Sequence, residues 1–256
     1  MREINTFRKN KILMKNTLNT LFLGLLLCSS IVLNAQSTEE VLGKHQAAMG
    51  SPEKWSAVKS LVMKNKFSVQ GMDIESKTSI LVGQGFRTEV EVMGNKIITA
   101  INGESGWMMR PAMMGGTGEP ETMPADQVKM AASQKNIGSA LIIAQKEGAK
   151  IELESKEKLD GADVYLLKVT KDGGDETQVY VSASTYFIVK VTGKQKANGQ
   201  EVDTEVNFSN YKAVDGLYFP YTMETTSPMG GMMTVETVAV EINPNIDANI
   251  FAKPTK

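Results

Sequence analysis

Phe86-Arg87-Thr88-Glu89-Val90-Glu91-Val92 is the stretch that decides the fold class. Apolar and β-branched residues take every second place, and charged residues fill the places between. A period of two sends one set to a buried face and the other to water, as in a strand of an antiparallel sheet. The same pattern recurs on both sides of it. Leu61, Met63, Phe67 and Val69 alternate with Lys64, Lys66, Ser68 and Gln70, with Val62 and Asn65 out of step. Val202, Thr204, Val206 and Phe208 alternate with Asp203, Glu205 and Asn207. Turn pairs separate such runs: Asn102-Gly103, Asp160-Gly161, Asp172-Gly173, Asn198-Gly199 and Asp215-Gly216. These pairs supply the positive φ angles that tight hairpins need. The pattern predicts ten or eleven strands joined as a meander.

Helical periodicity precedes the meander and then interrupts it once. Thr38 to Met49 places Val41, Leu42, Gln46 and Met49 near one face, with Thr38 as the expected N-cap and Gly50 as the stop. Pro52 to Val58 reads as a short second helix carrying Trp55. Further on, Met108 to Thr122 is rich in Gly, Pro and Met and reads as a loop. Pro124 to Lys146 then has a stripe of Val128, Ala131, Ala132, Ile137, Leu141 and Ile142, split near Asn136 and Gly138 into two short helices. Helices inserted within a meander suit a cover over one face of a curved sheet.

Residues 1–35 read as a secretory leader. Arg2, Arg8, Lys9, Lys11 and Lys15 precede the mostly apolar run Leu18 to Leu33, and Leu33-Asn34-Ala35 offers a small residue before Gln36. The uninterrupted apolar core falls short of the roughly 20 residues a membrane span needs. Cys28, the only cysteine, follows bulky Leu27 rather than the small residue a lipidation site wants. The expectation is therefore a signal peptide at 1–35 and one domain at 36–256. Without the leader's five bases and one acid, the 28 basic and 29 acidic side chains become 23 and 28. They are interspersed, so no stripe points to nucleic acid or to a membrane surface.

Catalytic or metal chemistry finds little support. His45 is the only histidine, with no second histidine or free mature cysteine to complete a metal site or a triad. On the first helix, between Lys44 and Gln46, it is expected to face solvent. Glu152, Glu154, Glu157, Glu201, Asp203 and Glu205 fall at alternating strand positions and read as solubilising charge. Gly115-Gly116, Gly173-Gly174 and Gly230-Gly231 lack any phosphate-cradling context and read as turns. Methionine is the anomaly: fourteen of sixteen lie beyond the leader, grouped as Met108-Met109, Met113-Met114, Met229 and Met232-Met233. Three readings stay open for them: a pliant apolar rim around an opening, a copper(I) thioether site, and ordinary core filling.

Three stretches carry a family resemblance. They are Met93-Gly94-Asn95 through Asn102-Gly103-Glu104-Ser105-Gly106-Trp107; Asn207-Phe208-Ser209-Asn210-Tyr211 through Asp215-Gly216-Leu217-Tyr218-Phe219-Pro220; and Asn243 through Ile246-Asp247 to Phe251 and Pro254. In that order and spacing the chain resembles the LolA-like group of outer-membrane lipoprotein-sorting proteins, from about Glu39 to Pro254. The resemblance implies a mainly β fold with helices: a strongly curved antiparallel sheet, an incomplete barrel, whose concave face is covered by the helices. It also implies a periplasmic carrier shielding the acyl chains of a lipoprotein, or a lipid, with inner- and outer-membrane sorting components as further partners. No cofactor and no nucleic acid enter that expectation, and the chain is expected to be monomeric and not an enzyme. The sequence departs from the group where an arginine latches the helical lid: Gln84 stands near that position, and Arg87 lies on the polar face of its strand.

Strand parity and helix spacing then name the expected cavity lining. Met63, Phe67, Phe86, Val90, Trp107 and Met109 come from the sheet, and Ile137 and Leu141 from the lid. The other readings are an envelope interaction or sensor module and an enzyme acting on a hydrophobic substrate.

Overall fold

The computed structural model describes residues 36–69, 71–197, 200–226 and 231–255. The expected leader with Cys28, the Asn198-Gly199 turn and Met229 lie outside the described residues. From residue 37 onward the chain forms one compact unit. Helix α1 (Thr38–Met49) and helix α2 (Pro52–Ala57) lead into strands β1 (Ser60–Val69), β2 (Met72–Leu81), β3 (Gly85–Val92), β4 (Asn95–Asn102) and β5 (Ser105–Met109). A 3-10 turn at Ala112–Met114 and a two-residue strand β6 (Glu121–Thr122) follow, then helix α3 (Ala125–Ala131), a 3-10 turn at Ala132–Lys135 and helix α4 (Ala140–Lys146). The second half holds β7 (Lys150–Leu159), β8 (Ala162–Thr170), β9 (Glu176–Ser182), β10 (Ile188–Ala197), β11 (Gln200–Val214), β12 (Leu217–Thr226), β13 (Met232–Ile242) and a last 3-10 turn at Ala248–Phe251.

The thirteen strands of the described residues join one antiparallel sheet in the order β6-β5-β4-β3-β2-β1-β13-β12-β11-β10-β9-β8-β7. The sheet is strongly curved and does not close, and the helices cover its concave side. Thirteen strands exceed the ten or eleven expected. Part of the excess is β6, which pairs with β5 from inside the segment read as a loop. That segment also contains Met108 and Met109, which belong to β5.

The helices start and stop for local reasons. Ser37, rather than Thr38, caps α1, its side chain accepting the Glu40 amide at 3.2 Å. Glu39 and Glu40 then sit where the helix dipole favours acids. Gly50 ends α1 at φ 102°, and a Cβ there would stand 2.7 Å from the carbonyl oxygen of Gly216. Only glycine meets both demands. The apolar positions of α1 are Val41, Leu42 and Met49, and His45 completes the buried stripe.

Two larger clusters hold the helices on the sheet. Val41, Leu42, Leu141 and Ala144 pack on Tyr165, Leu167, Val169, Val179, Val181 and Ile188. Met49, Trp55, Val58 and Ile137 pack on Leu61, Ile80, Leu217 and Phe219. Each such side chain contributes about 1.5–3 kcal/mol when fully buried, so these contacts, more than the short helices' own propensity, hold the cover in place.

Candidate functional site

Opposite residues of an antiparallel pair share a face, so the register divides the concave face into rows. The innermost row, beneath the helices, runs Ile101, Phe86, Ile80, Leu61 and Ile242 across β4, β3, β2, β1 and β13. The next row is Thr99, Thr88, Thr78, Met63 and Val240. Within it the hydroxyls of Thr78 and Thr88 are hydrogen-bonded at 3.0 Å. A third row carries Ile97, Val90, Ser76, Asn65 and Thr237. Here the Thr237 hydroxyl lies within hydrogen-bond reach of Asn65 Oδ1 (3.2 Å) and the Pro220 carbonyl (3.3 Å).

The outermost row is apolar again. Ile74, Phe67, Val235, Met223 and Phe208 stand side by side on β2, β1, β13, β12 and β11. Ile74 is buried, while the other four are half-buried. Ile74, Phe67, Val235 and Met223 lie outside the four buried clusters that anchor the helices and the C-terminal turn. This is an apolar strip five strands wide on the inner face of an open sheet. From β4 to β13 a mixed band, in which Thr99, Thr88, Thr78, Ser76, Asn65 and Thr237 stand among Met63, Val240, Val90 and Ile97, lies between it and the core.

The lid is α4, whose Leu141 and Ala144 face the sheet and are buried. Ser139 caps it, accepting the Ile142 amide at 3.3 Å. The same hydroxyl lies 2.6 Å from His45 Nε2, while His45 Nδ1 lies 2.7 Å from the Tyr186 carbonyl oxygen. His45 is therefore fully buried and not solvated as expected. Burial pushes its pKa below the ordinary value, with the Tyr186 carbonyl opposing. Its place four residues after Val41 on the apolar stripe was the available signal. Clefts flank the lid on both sides: about 430 Å³ between α4 and the first two helices, and about 290 Å³ between α4 and strands β8 and β9.

Of the eight expected lining residues, six lie on the inner side. Met63 and Phe86 pack at the edge of the core, Phe67 and Val90 lie half-buried further out, and Ile137 and Leu141 are buried under the cover. Trp107 and Met109 are on the other face. The turn at 103–104 pairs Ile101 with Gly106 and Thr99 with Met108, which sends Trp107 and Met109 outward with Ile98 and Ala100. Met108 is the inward residue, packed with Ile101, Met123, Val128 and Ala131. Counting back across the Asn102-Gly103-Glu104-Ser105 turn would have set this parity.

On the outer face the C-terminal turn covers Trp107. The indole nitrogen donates to the Phe251 carbonyl at 2.9 Å, and Arg87 donates to the Ile250 carbonyl at 2.7 Å while pairing with Glu89. Arg87 also lies over the Trp107 ring, 5.4 Å from its centre. It lies on the polar face, as its strand parity predicts, and there it pins the C-terminal turn.

The methionines do not share one rim. Parity divides Met108 from Met109 and Met232 from Met233, and Met113 and Met114 are exposed on the 3-10 turn after β5. A larger hollow of about 670 Å³ opens on the outer face, across β7 to β13, with charged and polar lining that includes the ion-paired Lys168 and Glu154. Among the described residues no group of three or more His, Cys, Asp or Glu side chains could hold a metal ion, and no helix is long and apolar enough to cross a membrane.

Three solved structures share this arrangement. A LolA superfamily protein from Nitrosomonas europaea aligns with a TM-score of 0.54 over 86% of this chain and 99% of its own, at 13% identity. The fold is LolA-like. A DUF1329 family protein from Desulfovibrio piger aligns with a TM-score of 0.56 over 84% of this chain and 96% of its own, at 14% identity. A putative outer membrane lipoprotein-sorting protein domain from Vibrio parahaemolyticus aligns with a TM-score of 0.50 over 84% and 95%, at 16% identity. No family model matches the sequence, and no curated protein matches it. The LolA-like fold is thus carried at a sequence distance where side-chain roles do not transfer.

Proposed function

We propose that this protein is an exported, monomeric, non-enzymatic carrier in the periplasm, which holds the acyl chains of a lipoprotein, or a lipid, against the inner face of its sheet. The observation that carries the reading is the half-buried row Phe67, Val235 and Met223, continued by Ile74 outside the helix-packed core and by Phe208 at the core's edge. An apolar strip of that width in a concavity is a surface that gains by being covered. Acyl chains gain about 0.8 kcal/mol per buried methylene. Phe67 and Val90 are the first contacts in this reading. Met63 and Phe86 follow at the edge of the core, Ile137 borders the cleft beside α4, and Leu141 becomes available only when α4 lifts. The shared fold of the Nitrosomonas LolA superfamily protein and of the putative lipoprotein-sorting domain from Vibrio supports the same direction.

Native mass spectrometry of protein purified from its own periplasm, followed by lipid extraction, tests the proposal. A bound acylated species is the expected result. An empty protein that also takes up no fluorescent fatty-acid probe would turn the strip into a docking face for another envelope protein.

A further inference from the structure

The cleft between α4 and the first two helices has a chemistry of its own. Apart from Gln46 and Ser56 its walls are apolar: Gly50, Pro52, Trp55 and Val58 from the side of the first two helices, Val82 from the turn after β2, and Ile137 and Ile142 from the lid side. The one donor of Trp55 is already spent on the Met49 carbonyl at 3.2 Å, so the indole offers the cleft only apolar surface. The exposed lysines Lys59 and Lys146 complete the lining, and no carboxylate is among the lining residues. Lys59 Nζ donates to the Ser56 carbonyl and Lys146 Nζ to Asn136 Oδ1, both at 3.3 Å. Among the described residues neither ammonium has an ion-pair partner. The nearby carboxylate of Glu147 is held by the Asn136 amide instead.

A volume of about 430 Å³ lies within the roughly 300–1,000 Å³ of small-molecule sites, which combine apolar walls with a few placed polar groups. We infer that this cleft binds a single-chain anionic amphiphile, its chain against Trp55, Val58, Ile137 and Ile142 and its acidic head at Lys59 and Lys146. Two unpaired cations beside an apolar slot select against neutral and cationic amphiphiles of the same length. The site is separate from the open strip on the sheet and does not rest on the carrier reading.

Trp55 is a built-in reporter, because the only other tryptophan, Trp107, is buried on the outer face. Its quenching by 9,10-dibromostearate, by the methyl ester of that acid and by a brominated alkylamine is followed in wild type and in Trp107→Phe. The expected result is saturable quenching by the carboxylate, about tenfold tighter than by the ester. The surface double variant Lys59→Gln/Lys146→Gln should lose that tenfold preference while keeping the affinity for the ester. Val235→Asp, on the open strip, should leave Trp55 quenching unchanged. Equal quenching by acid and ester, an unaltered preference in the lysine variant, or quenching abolished by Val235→Asp would each overturn the inference.

Discussion

His45 Nε2 lies 2.6 Å from Ser139 Oγ, and that hydroxyl also caps α4 through the Ile142 amide. With Nδ1 facing the Tyr186 carbonyl at 2.7 Å, the network assigns the ring proton to Nδ1 and leaves Nε2 to accept from the serine. One neutral imidazole thus ties α1, the start of the lid and the loop before β10 together. The imidazole is fully buried while Ser139 is half-buried, so losing the serine hydroxyl leaves Nε2 without a partner away from water.

The first consequence concerns pH. Burial depresses the His45 pKa, so below about pH 6.5 the unfolded chain takes up a proton that the folded protein resists. Stability is unaffected by this group above pH 6.5. It falls as pH drops from there towards the folded pKa, by at most about 1.4 kcal/mol per pH unit. As the only histidine, His45 should account for most of the change in Tm between pH 7 and 5.5. His45→Gln should flatten that segment of the profile, and an unchanged slope in the variant would sink the assignment.

Ser139→Ala removes both functions of the hydroxyl. Loss of the N-cap costs about 1 kcal/mol, and an unpaired buried Nε2 adds about 1–3 kcal/mol. Because clefts flank α4 on both sides, the loss should appear first as lid opening and not as global unfolding. Amide hydrogen exchange across 140–146 should accelerate more than exchange in β8 and β9. Uniform acceleration across all three elements would mean the lid has no opening of its own.

On the outer face, Gly85 and Phe251 make a tight pair. A Cβ at Gly85 would stand 2.6 Å from the Phe251 ring, which is fully buried. Gly85→Ala should destabilise by about 1–3 kcal/mol through overpacking, and Phe251→Ala by about 3–5 kcal/mol through the cavity it leaves. Combined, they should cost clearly less than their sum, since the added methyl enters the vacated space. Additive losses in urea denaturation would show that the ring simply swings away.

How far the sequence disclosed this molecule varies by element. The alternation in Phe86 to Val92 fixed which side chains of β3 face inward, and the register agrees pair by pair. Trp107 and Met109 were misplaced because apolar residues sit on both faces of β5, so alternation carried no sign there. His45 was misread because a polar residue on an apolar stripe looks solvated until its partners, 94 and 141 residues away, are known. The outer strip was legible only in fragments. Phe67 and Phe208 stand out in their own strands, yet their place in one row depends on β13 lying between β1 and β12. That closure of the strand order is a long-range fact which local periodicity does not contain.

The hydroxyl band between strip and core offers the last test. Thr78 and Thr88 satisfy each other at 3.0 Å, so replacing one by valine leaves its partner short of a bond, at about 1 kcal/mol. Replacing both removes the need for the bond and should be nearly neutral in stability, because valine keeps the shape and suits a strand. The double variant would also join the inner row at Phe86 to Val90 through a continuous apolar surface along β3, leaving Ser76 and Asn65 as the polar groups before Phe67. If acyl chains lie along the sheet as proposed, uptake of a long-chain fluorescent fatty acid should tighten severalfold in Thr78→Val/Thr88→Val and be unaffected in a control such as Thr192→Val on the outer face. A weaker probe in the double variant would instead mean that a polar part of the ligand bonds to the band, and the chain would then have to lie elsewhere on the face.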